Sequence, residues 1–127
     1  MKTFKQLKEQ LDIPAIGQTF SRDLMPQLDS AFLKYLKKKN ISYTKENVNT
    51  SDLKSTQSEF DTMKILNLMS SDNNDTIFVS NDDYVLDGHH RWIADHNTDG
   101  KTEAYVIDLP ILELYRVAKE YESMLKE

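Results

Sequence analysis

A chain of 127 residues, 39% apolar and 29% charged, is sized and composed for one globular domain, which excludes a fibrous class and an intrinsically disordered chain. Its net charge of -5 opposes a protein that coats nucleic acid through its overall field, because such binding needs many Lys and Arg to neutralise phosphates. Cysteine is absent, which excludes disulfides and thiolate metal sites, and no apolar run approaches the roughly 20 residues of a membrane helix.

The start, Met1-Lys2-Thr3-Phe4-Lys5, lacks the apolar core of a signal peptide, so a bacterial cytoplasm is the expected location. Residues 1–21 read as an N-terminal extension to a domain that spans 1–127. From Leu28 to Lys39, Leu28, Phe32, Leu33 and Leu36 recur at helical spacing, with Pro26 acceptable near the start and Asn40 a stop signal. The run Lys34, Lys37, Lys38 and Lys39 suits the negative end of that helix better than it suits a nucleic-acid contact. Ile41, Tyr43 and Val48 suggest short extended segments. A second helix is expected from about Ser58 to Met69, on a stripe of Phe60, Met63, Leu66 and Met69 widened by Ile65 and Leu68. Ser70 to Asp75 reads as a polar loop.

Ile77-Phe78-Val79 and Tyr84-Val85-Leu86, separated by Ser80-Asn81-Asp82-Asp83, read as a β-hairpin. Asp87 is then placed to cap a helix from about His89 to His96, ending before Asn97-Thr98-Asp99-Gly100. Ala104 to Leu109 reads as a strand. Pro110 opens a final helix over 110–127, with Ile111, Leu114, Tyr115, Ala118, Tyr121 and Leu125 on its apolar face. The expected class is α+β, a small mixed sheet with flanking helices.

The chemistry concentrates at Asp87-Gly88-His89-His90-Arg91, where a strand ends and a helix begins. Gly88 permits a sharp turn and close approach of a ligand. The first helical turn offers unpaired N–H groups and a positive dipole end, an anion site. Arg91 can add a bidentate contact to phosphate, and His89 and His90 supply donors or proton-transfer groups near neutral pH. Against this stands a structural reading in which Asp87 is an N-cap and Arg91 a surface ion-pair partner. The coincidence of five demanding residues at one corner favours function. Trp92, Ile93 and Ala94 are assigned to packing. His96 forms no standard zinc pattern with His89, so no metal ligand is assigned.

Gly88-His89-His90-Arg91-Trp92-Ile93-Ala94 resembles the Gly-x-x-Arg-x-x-Ala pattern with which ParB-type partition proteins hold CTP phosphates. It is similar, too, to the Gly-Cys-His-Arg segment with which sulfiredoxins bind ATP. His89 stands at the sulfiredoxin cysteine position, which excludes a sulfinic-acid reductase. The Asp-Gly-His-His-Arg form looks like that of phage-encoded ParB/sulfiredoxin-like proteins, including those described as ParB-like nucleases, and like the free serine kinases of the same superfamily. Asp52 to Phe60, followed by Lys64-Ile65, resembles the segment where the chain enters the cleft of these domains. That likeness implies Glu59 as catalytic base and Gln57 as a nucleotide-binding residue. Arg22-Asp23-Leu24-Met25-Pro26-Gln27 is similar to the amino-terminal part of the phage versions, with Gln27 facing the site. ParB's helix-turn-helix and dimerisation tail have no counterpart, and the motif's usual acidic-basic pair is His89-His90 here, so chromosome partition is not expected.

The resemblance implies a nucleotide-binding protein, with ATP or CTP and Mg²⁺ as cofactors, that carries out phosphoryl transfer or NTP hydrolysis. Asp87, Gly88, His89, His90, Arg91 and Gln57 would hold the nucleotide. His89 or His90 would stabilise the transferring group, and Glu59 would accept a proton. Glu59 has an equally good local explanation as the capping-box partner of Thr56. The alternatives are a ParB-like nuclease, which the low basicity opposes, and a non-catalytic phage module that binds a host protein.

Overall fold

The computed structural model describes residues 2–3, 6, 11–17, 19–20, 25–71 and 75–125. In chain order its elements are β1 (Lys2–Thr3), α1 (Ser30–Lys38), β2 (Tyr43–Asn49), a 3-10 turn (Thr50–Asp52), β3 (Lys54–Ser55), β4 (Glu59–Phe60), α2 (Thr62–Met69), β5 (Ile77–Ser80), β6 (Tyr84–Asp87), α3 (His89–His96), β7 (Lys101–Ile107) and α4 (Ile111–Leu125). Five strands form one mixed sheet in the order β2-β7-β5-β6-β3, and β1 pairs with β4 separately. The β2–β7 and β5–β6 pairs are antiparallel, whereas β5–β7 and β3–β6 are parallel. This is an α+β fold.

Helices cover both faces of the sheet. Ile65 of α2 and Trp92, Ile93 and Ala94 of α3 pack with Ile77, Val79, Val85 and Ala104 on one face. Phe32 and Leu36 of α1, with Leu114 and Ala118 of α4, pack with Phe78, Leu86 and Ile107 on the other. A strand buried on both sides cannot alternate apolar and polar residues. All four β5 residues are buried, the pattern that a central strand requires.

Local chemistry sets the helix boundaries. The Asp29 side chain caps α1 by accepting the Ala31 N–H at 3.1 Å, and Asn40 ends it in the left-handed region at φ 59°. Of the basic run, Lys39 pairs with Glu120 at 2.6 Å, which ties the end of α1 to α4. Asp61 caps α2 through the Lys64 N–H, so this helix starts four residues later than the expected Ser58. Its phase differs as well: Ile65 is buried, but Met63 and Leu66 are 64% and 44% exposed. The Thr56–Glu59 capping box does not form, because Glu59 lies in β4 opposite Thr3.

Three further expectations are corrected. The short segments around Ile41, Tyr43 and Val48 are one seven-residue edge strand, β2, whose mostly exposed side chains carry little apolar signal. β7 starts at Lys101 rather than Ala104 and ends at Ile107. Leu125 is 63% exposed instead of lying on the buried face of α4. In the N-terminal stretch, Leu11 and Ile13 are in the core, Ile16 bridges Ser55 in parallel, and Phe20 donates its N–H to Thr56 O at 2.7 Å. Residues 72–74 of the expected polar loop lie outside the described residues. Among the described residues no helix is long and apolar enough to cross a membrane.

Candidate functional site

A cleft of about 590 Å³ opens where β6 ends, β5 begins, and the starts of α1 and α3 approach one another. Its walls include Gln27, Gln57, Lys64, Asp87, Gly88, His89, His90, Arg91 and Tyr105. Seven of the eight residues singled out in the sequence, Gln27 among them, therefore line one cavity of the size that small-molecule sites occupy. Glu59 does not. It is exposed on β4, outside the cleft wall, and Gln57 Nε2 donates to its backbone carbonyl at 2.8 Å. Arg22, Asp23 and Leu24 lie outside the described residues.

The corner is built differently from the expected Asp cap. Gly88 itself is the N-cap of α3, at φ 99°, and no side chain caps the helix. This left-handed φ is accessible to glycine at little cost, and a Cβ there would lie 2.5 Å from Ile77 Cγ2. The close approach that demands glycine is thus that of β5, not of a ligand. Asp87 turns away from α3: its Oδ2 accepts the Leu28 N–H at 2.8 Å and ties the entry of α1 to the end of β6. Burial raises its pKa, while the Leu28 and Gly88 N–H groups and Lys64 act in the opposite direction.

Both histidines are buried and work through Nε2. His89 Nε2 accepts the Thr56 N–H at 3.0 Å, and His90 Nε2 accepts the Asp61 N–H at 3.0 Å. Each Nε2 is therefore unprotonated and the neutral ring carries its hydrogen on Nδ1. Together the pair clasps the chain between β3 and α2, with the Phe60 ring 6.2 Å from each imidazole. Burial, and secondarily His90, lowers the His89 pKa to about 3. In this arrangement each histidine accepts from backbone and so positions the chain, while both rings line the cleft.

Arg91 is 6% exposed. Its Nη1 reaches Asp95 Oδ1 at 3.3 Å, while Nε and Nη2 are buried without a hydrogen-bond partner. Those two atoms form one edge of the planar guanidinium, the geometry that receives two oxygens of a carboxylate or phosphate. Leaving such donors buried and unpaired costs free energy, which sets this edge apart from the satisfied polar groups around it. Asp95 compensates part of the charge and fixes the rotamer.

Lys64 escaped assignment in the sequence, although it is the lone charged residue of α2. It lines the cleft, and among the described residues its ammonium makes no hydrogen bond or ion pair. The acids on the same wall are engaged: Asp87 with Leu28, and Asp29 with Ala31 N and with the Tyr121 hydroxyl at 2.9 Å. The donors available to a ligand are thus cationic. No group of three His, Asp or Glu able to hold a metal ion occurs among the described residues, so no cation cage is built by these side chains. Comparison with protein-family models, with curated proteins and with solved structures finds no match for this chain.

Proposed function

We propose that this protein binds the phosphate groups of a nucleotide, ATP or CTP, in the cleft at Gly88–Arg91, as a member of the ParB/sulfiredoxin-like superfamily. The observation that carries the reading is the buried, unpaired Nε–Nη2 edge of Arg91 beside an uncapped helix N-terminus. Lys64, a second cation lining the same cleft, supports it. The order of elements, with a strand, Asp87-Gly88-His89-His90-Arg91, a helix and a further strand, agrees with the resemblance in the sequence.

Phosphoryl transfer or NTP hydrolysis, the reaction class the resemblance implies, rests on Asp87 rather than Glu59. Asp87 is the carboxylate at the α3 corner of the cleft, and it would have to loosen its hold on the Leu28 N–H to accept a proton from an attacking hydroxyl or water. Mg²⁺ bound by nucleotide phosphates commonly takes one or two protein carboxylates, and Asp87 would be the residue to meet it, where it would offset phosphate charge. A nuclease gains no support from the net charge of -5, which opposes binding of a long polyanionic strand.

Thermal unfolding of wild type and Arg91→Ala with ATP, CTP or GTP, each with and without Mg²⁺, tests the reading, since a ligand of the native state raises apparent stability. The expected outcome is a rise with at least one nucleotide that Arg91→Ala abolishes. No rise with any nucleotide refutes the proposal. Loss of nucleotide turnover in Asp87→Asn with binding retained would assign Asp87 to catalysis, and turnover unchanged in that variant would remove it.

A further inference from the structure

The cleft follows a row of residues across the sheet. Asp87 of β6 pairs with Phe78 of β5, Phe78 pairs with Tyr105 of β7, and Tyr105 pairs with Lys45 of β2. Asp87, Phe78 and Tyr105 all line the cavity. Two strand spacings separate Asp87 from Tyr105, roughly 10 Å of backbone. One end of the cleft is therefore the cationic corner of Arg91 and Lys64, and the other is aromatic.

The aromatic end is built as a platform. Tyr105 is half-buried, its ring 5.4 Å from the buried Phe78 ring and 5.8 Å from Tyr43, which meets it edge-on. The Lys45 ammonium lies over the same ring, 5.7 Å from its centroid, on an exposed side chain that a stacked base would displace. Among the described residues the Tyr105 hydroxyl has no hydrogen-bond partner. A supported, partly exposed ring with an unused hydroxyl offers a stacking face and one polar contact to a planar heterocycle. A ligand of inorganic phosphate alone would leave this end of the cavity unused.

We infer that Tyr105 is a ligand-binding residue that stacks on the aromatic base of the nucleotide, so that the cleft selects nucleotides over simple phosphates. This rests on the phosphate site proposed above. Titration calorimetry with ATP, CTP, GTP and inorganic triphosphate, each with Mg²⁺, separates the two. Wild type binds at least one nucleotide about tenfold more tightly than triphosphate, in the range of base–aromatic stacking. Tyr105→Ala removes that preference while triphosphate affinity changes less than about twofold, and Tyr105→Phe keeps it, because stacking needs the ring and not the hydroxyl. In wild type the Tyr105 ring-proton resonances shift with the nucleotide and stay in place with triphosphate, a readout independent of how any variant folds. Equal affinity for nucleotide and triphosphate, or a preference that survives in Tyr105→Ala, overturns the base site and leaves the phosphate site standing. Failure of both ligand types to bind removes the phosphate site, and the base site with it.

Discussion

His89 shows how one side chain can pass for a catalyst and serve as a clasp. Its Nε2 accepts the Thr56 N–H, and burial holds its pKa near 3 against an ordinary value near 6.5. A depressed histidine pKa means that the unfolded chain takes up a proton the folded chain refuses. Stability from His89 is thus complete above about pH 6.5 and falls as the pH drops toward 3. In His89→Gln, where the amide oxygen can still accept from Thr56, denaturant titrations between pH 7 and 4 should show a flatter loss of stability than wild type; parallel curves would contradict this role. Gly88 is constrained twice, by φ 99° and by Ile77. Gly88→Ala should cost about 2–4 kcal/mol in equilibrium unfolding, the sum of backbone strain and overpacking. A cost below about 0.5 kcal/mol, the level of a neutral surface change, would show that Ile77 yields freely.

At the scale of elements, legibility followed burial. The hairpin β5–β6, the helix α3 from His89 to His96 and the start of α4 after Pro110 lie where the sequence puts them, because apolar runs there end at residues with one conformational meaning. β2 was obscured since an exposed edge strand has no buried face to mark its period. α2 was misphased because Met63, Leu66, Leu68 and Met69 surround it with apolar residues, and only the sheet decides that Ile65 faces inward. Its true start is Asp61, which caps through Lys64 N and also donates its N–H to His90. Asp61→Ala should cost about 1 kcal/mol, the usual worth of a cap, measured by urea unfolding, with Asp61→Asn close to wild type. Equal losses in both variants would place the effect elsewhere. For the site, the strand-to-helix corner was legible because Gly, His, His and Arg follow one another directly after an apolar strand, although Gly88, His89 and His90 also have structural tasks there. Lys64 and Tyr105 were not, since their membership depends on where α2 docks and on the register of β7 against β5.

The whole molecule brings together parts that lie far apart in the chain. The N-terminal segment meets the edge of β3 at Ile16 and is fastened near its start by Asp12, whose Oδ2 lies 2.7 Å from His96 Nε2 and whose backbone bonds with Asn97. It continues to Phe20, which stacks on Tyr115 of α4 at 4.1 Å. Thr56 sits at the crossing point: its carbonyl accepts from Phe20, its N–H binds His89, and its hydroxyl donates to Val85 O at 2.7 Å. The N-terminal segment, the β3–β4 connection and the α3 corner therefore meet at one residue beside the cleft. Hydrogen exchange should show the Thr56 amide among the best protected of the chain, whereas a rate typical of surface loops would mean that the clasp opens readily. The proposed phosphate site turns on Arg91, and the measurement that tests it most directly is the Arg91 Nε–H resonance during nucleotide titration by NMR. Phosphate binding at this edge should give a large, saturable shift of that signal together with the Gly88 and His89 amides. An Arg91 signal that stays fixed while other residues of the protein respond to the nucleotide would contradict it.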